Sequence, residues 1–111
     1  MPEIKKLVIP REKWGAGALV RSDGKMCCLG HLGKACGVPV AEMLSMGMPS
    51  GLDYDRRFLF PKKFRDKFMA DDLAAKINDD THMSGPEKER QLKILFSSRD
   101  IKLTFTGKGE P

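Results

Sequence analysis

No apolar run in this sequence is long enough to cross a membrane or to form the apolar region of a signal peptide. Cysteine is scarce and odd in number, three in all, and two of the three are adjacent. That excludes a secreted disulfide scaffold, which uses an even and dispersed set, and points to reduced thiols in a reducing compartment. A cytoplasmic protein is the expectation, with no membrane association. Aromatic residues make up only 7% of the chain, with one tryptophan and one tyrosine, so an extended stacking platform for single-stranded nucleic acid is not encoded. Paired C-x2-C and H-x3-H elements are absent, as are the calcium loop with its distal glutamate and the known thiol-enzyme signatures. No cofactor and no metal site is therefore expected. Internal repeats and low-complexity segments are also missing.

What is present describes one domain over residues 1–111, with 106–111 as a loose tail. Hydrophobic residues form 41% and charged residues 32%, enough for a core without disulfide or metal staples. The net charge of +5 is concentrated. Arg56, Arg57, Lys62, Lys63, Arg65 and Lys67 stand against the single acid Asp66, and the rest of the chain is balanced. Such a segment suits an acidic protein surface, nucleic acid or a nucleotide, and it also suits a solvated helix start whose lysine stems cover apolar surface.

Ile4–Ile9 is a β-branched run stopped by Pro10, and Ile101–Thr106 alternates apolar and polar residues strictly, so both read as strands. Pairing them ties down both chain ends. Ala18-Leu19-Val20-Arg21, closed by the turn signal Ser22-Asp23-Gly24, is a candidate third strand. Leu29, Leu32 and Cys36 fall on one helical stripe that Gly37-Val38-Pro39 ends, and Pro39 opens a second helix reaching about Met46. Phe64, Phe68, Leu73 and Ile77 form the inner stripe of a third helix running down to Asn78-Asp79-Asp80, read as a solvated end. Ser84-Gly85-Pro86-Glu87 is a capping box for a fourth, with Leu92, Leu95 and Phe96 inside. The fold class is therefore α+β: a small antiparallel sheet of the terminal strands packed by about four helices.

The densest stretch is residues 24–37, which hold all three cysteines, one histidine and four of the eleven glycines. On a helix, Cys28, Leu29, Leu32 and Cys36 form an apolar seam, with glycine admitting close packing. Cys27 falls on the other side with His31 and Lys34, a thiol one turn from an imidazole, which is the pattern of an activated nucleophile. Cys27 and His31 are the catalytic candidates of a thiol-dependent enzyme. Cys28, His31 and Cys36, with His82, are a weaker ligand set for zinc. Seven methionines complete the inventory, most economically as core filler.

Taken together, Ile9-Pro10-Arg11, Trp14, Gly24-Lys25-Met26-Cys27-Cys28-Leu29-Gly30, Ala35-Cys36-Gly37 and Ile77-Asn78-Asp79-Asp80 resemble a group of small uncharacterised proteins of tailed bacteriophages whose hallmark is a Cys-Cys-Leu-Gly segment. The resemblance runs from about Ile4 to Phe105, with a shorter stretch between Trp14 and Leu19. It implies a phage accessory protein acting in a bacterial host, and it implies no activity, cofactor or catalytic residue. The leading expectation is a non-catalytic protein that binds and modulates a host or defence component through Arg56, Arg57, Lys62, Lys63, Arg65 and Lys67. A nucleic-acid or nucleotide-binding module, using the same residues, and the thiol enzyme are the alternatives.

Overall fold

Strict alternation places Leu7 and Ile9 of one terminal segment, and Leu103 and Phe105 of the other, on a single buried face, with their neighbours outside. In a computed structural model of the chain, residues 5–44, 46, 59–60 and 70–107 are described, the side chains of 70–72 excepted. Their order is β1 (Lys6–Pro10), a 3-10 turn (Arg11–Lys13), α1 (Cys28–Ala35), α2 (Val40–Met43), α3 (Ala70–Asp79), α4 (Gly85–Ser97) and β2 (Lys102–Thr106). The described residues thus form four helices and one two-stranded sheet. None of these helices is long and apolar enough to cross a membrane.

The sheet is parallel, which corrects the antiparallel pair expected from the sequence: Lys6 pairs with Lys102, Val8 with Thr104 and Pro10 with Thr106. Alternation specifies a strand and its buried face but not its direction. Direction is set here by the end of α4. Ile101 N donates to Phe96 O (2.9 Å) and Asp100 takes a left-handed conformation (φ 65°), so the chain doubles back and β2 packs on α4. A parallel neighbour needs a crossover, and the intervening helical body supplies it.

The expected third strand at 18–21 does not form. Val20 instead makes single bridges to Met26 and Leu44, and Leu19 N donates to Met46 O (2.6 Å), so the segment is a buried connector rather than a ladder. The second helix ends at Met43, because Leu44 turns to extended geometry to meet Val20. In α3 the inner face is Ala74 and Asn78, with Ala75 and Ile77 half-buried, whereas Leu73 is 45% exposed. Phe64 and Phe68 lie outside the described residues. The fourth helix matches its sequence signals: Ser84 Oγ accepts from Glu87 N (3.3 Å), Pro86 sits in the first turn, and Leu92 and Phe96 are buried.

The core joins the inner face of the sheet to α1 and α4, with the Trp14 ring tilted 44° against Phe105 at 4.5 Å between centroids. One polar tie closes its edge. Arg11 Nε and Nη2 donate to the Glu89 carboxylate at 2.7 and 2.8 Å, and Nη1 donates to Gly107 O at 2.8 Å. The Arg11 guanidinium holds the Glu89 carboxyl below its ordinary range, and it joins the end of β1 to α4 and to the residue after β2. Thr106 therefore belongs to β2, and Gly107 is bonded; residues 108–111 of the expected tail lie outside the described residues.

Candidate functional site

Helix α1 is buried almost all round: Cys28, Leu29, Gly30, His31, Leu32 and Gly33 are all inside. It packs on β1, α2 and α3. The expected seam of Cys28, Leu29, Leu32 and Cys36 is buried as a unit. The expected polar edge is not an edge. Cys27 is the N-cap residue, not a first-turn residue, and is 4% exposed; His31 is 6% exposed, and only Lys34 of the three faces solvent.

Burial decides the chemistry of both groups. Desolvation pushes the Cys27 thiol up to about 11, although the Gly30 and Leu29 backbone N–H groups work the other way. A nucleophile at neutral pH needs the opposite shift. Desolvation also raises the Cys28 thiol, completely buried with Sγ 3.8 Å from the Ala74 carbonyl oxygen, well above its ordinary value, and it raises Cys36 as well. Desolvation lowers His31, so its neutral form is favoured, and its Nε2–H donates to the Lys13 carbonyl at 3.2 Å. Cys27 and His31 meet through the backbone, His31 N donating to Cys27 O (3.1 Å), and no hydrogen bond joins their side chains. Among the described residues no group of histidine, cysteine and carboxylate side chains is placed to hold a metal ion.

The glycines follow from the neighbours of α1. A methyl group at Gly30 would lie inside contact distance of the Leu19 carbonyl oxygen, which is backbone and has nowhere to go. At Gly33 a methyl would meet the Phe60 ring at 2.7 Å and Met43 Sδ at 2.8 Å. Gly37 serves a different purpose: its surroundings are open, and its φ of 99° is the left-handed turn that ends a helix.

The residue that organises this region was not singled out by sequence. Asn78, read there as part of a solvated acidic end, is 2% exposed and uses its amide in four directions. Oδ1 accepts from Trp14 Nε1 (2.6 Å) and from the Cys28 backbone N–H (3.1 Å), and Nδ2 donates to Gly15 O and Asp79 Oδ1, both at 3.0 Å. One amide thereby joins the end of α3, the start of α1 and the Trp14 loop. The available signal is the lone buried tryptophan, whose N–H must find an acceptor. Asp79 and Asp80 complete the end of α3 by accepting backbone N–H groups of Gly17, His82 and Met83.

Arg56, Arg57, Lys62, Lys63, Arg65 and Lys67 all lie outside the described residues. The fold does bring other cations together: Arg21 and Lys25, four residues apart, and Lys88, distant from both in sequence, line one cleft beside Trp14 and Asn78. No family of known proteins, no curated protein and no solved structure matches this chain.

Proposed function

We propose that this chain is a small non-catalytic accessory protein that binds an acidic macromolecular partner and alters its activity. The observation that carries the reading is the charge distribution: the six cations of 56–67 face a single acid while the remaining chain is balanced. The state of Cys27 and His31 supports a binding role over thiol chemistry, because both are enclosed and both favour their neutral forms. On the resemblance to tailed-phage proteins, the partner is a host or defence protein, and the compartment is the bacterial cytoplasm.

The test is capture of partners from bacterial lysate, followed by quantitative binding with Arg57→Glu, Lys63→Glu and Arg65→Glu combined. A partner held by this segment is lost in the triple variant and weakens as salt rises. Unchanged affinity and unchanged salt dependence in the triple variant would overturn the proposal. Recovery of DNA or RNA in place of protein, with a steep salt slope, would replace it with the nucleic-acid reading.

A further inference from the structure

Residues 21–25 form a tight turn in which Arg21 N donates to Lys25 O (2.7 Å) and Gly24 N to Arg21 O (2.9 Å), while Asp23 Oδ1 accepts from Lys25 N (3.0 Å). Gly24 has a φ of 86°, as such a turn requires. The turn holds Arg21 and Lys25 together at its base. Arg21 then lies directly over the Gly15 backbone: a methyl group at position 15 would come within 2.8 Å of Nη1 and 3.0 Å of Lys25 Cβ. Lys88, from the start of α4, reaches the same cleft, whose volume is about 200 Å³.

Among the described residues, two of these three cations have no ion-pair partner. Asp23 pairs with Arg21 at 3.1 Å, whereas Lys25 and Lys88 form no ion pair among the described residues. Like charges lining one cleft oppose folding, and a bound anion removes that opposition. The floor is rigid, since the Asn78 amide and the Trp14 N–H are both bonded. The volume falls below the usual range for whole small-molecule ligands, so the cleft suits a compact charged group with the remainder of the ligand outside. Two unpaired positive charges match a dianion, and a phosphate monoester is nearly that at neutral pH.

We infer that the cleft bounded by Arg21, Lys25 and Lys88 is a binding site for a phosphate group, either free phosphate or the terminal phosphate of a small phosphorylated molecule. It uses none of the residues in 56–67, so it stands or falls separately from the partner proposal. Trp14 lines the cleft and is the chain's one tryptophan, which makes its fluorescence a local reporter.

The experiment titrates the full chain with inorganic phosphate and, separately, with a nucleoside monophosphate, ionic strength being held constant with sodium chloride. Trp14 emission and the thermal midpoint are read together. The site predicts saturable responses in both, with affinity falling about tenfold in Lys25→Gln and again in Lys88→Gln. Gly15→Ala, which displaces Arg21, should weaken binding in the same direction, and circular dichroism checks that each variant remains folded. Equal affinity for the two ligands identifies free phosphate as sufficient; tighter binding of the monophosphate identifies the phosphorylated molecule. No saturable response, a response matched by chloride alone, or one unchanged in the folded double variant would overturn the inference.

Discussion

Helices α1 and α4 are both regular, yet they are helical for different reasons. Helix α4 starts on a side-chain cap, carries proline in its first turn, and supports its outer face with Glu87 bonded to Arg90 and Gln91. Only Leu92 and Phe96 of its thirteen residues are buried. In α1, six of eight residues are buried, the N-cap makes no side-chain bond, and two interior glycines lower the local preference. The first is a helix by local chemistry that then finds a partner. The second is a helix because its surroundings leave no other shape, and its surroundings include a backbone carbonyl and an asparagine amide.

The comparison can be broken most decisively at Gly30. Gly30→Ala should destabilise the fold by at least about 3 kcal/mol, since the methyl meets the Leu19 carbonyl rather than a flexible side chain. The same residue type placed on the outer face of α4, as Lys93→Ala, should change stability by less than about 0.5 kcal/mol. Chemical denaturation of the two variants measures both, and a small effect at Gly30 would mean that α1 is not held by close approach.

Asn78→Ala comes next, at about 3 kcal/mol, because it strands the Trp14 N–H, the Cys28 N–H and the Gly15 carbonyl in the interior together. Trp14 emission should shift to the red in this variant, and an unshifted spectrum with unchanged stability would remove Asn78 from its central role. Ser84→Ala is smaller, about 1 kcal/mol, and tests the local origin of α4. Its effect should appear as faster hydrogen exchange in the first turn of α4, with α1 unaffected.

Titration separates the two helices as well. The Cys27 thiol has an ordinary value of 9.0 and is raised to about 11 in the fold. Its contribution to stability is therefore complete below 9.0 and is lost as pH rises through about 11, where the folded thiol ionises. His31 is shifted downward from 6.5, so its contribution is present above 6.5 and lost as pH falls below it. Glu87, lowered from 4.5 to about 2 by Arg90 and Gln91, contributes above 4.5 and loses that contribution toward pH 2. Stability should thus fall on the alkaline side through α1 and on the acid side through both helices. Thiol modification at neutral pH should be much slower in the folded chain than in denaturant, and a thiol that reacts faster than a free one would restore Cys27 as a reactive group.

Much of the fold was legible in the residues. The capping box of α4, the glycine stop after α1, the buried seam and the two terminal strands all rest on short-range patterns, which a linear sequence displays directly. The parallel direction of the sheet was not legible, because β1 and β2 are joined only through the whole helical body and alternation is blind to direction. Leu73 and Asn78 exchanged their expected places for a related reason: which side of α3 turns inward depends on what α1 and Trp14 present to it. For the site, the sequence brought Cys27 and His31 near one another but could not supply their depth, and depth sets the protonation of both. The cations at 21, 25 and 88 showed nothing in the sequence, being an ordinary turn and an ordinary helix start until the fold faces them across one cleft. Local preference and the location of charge were determined by the sequence itself. Direction, depth and convergence were decided by tertiary structure, because each depends on contacts between residues that the chain keeps far apart.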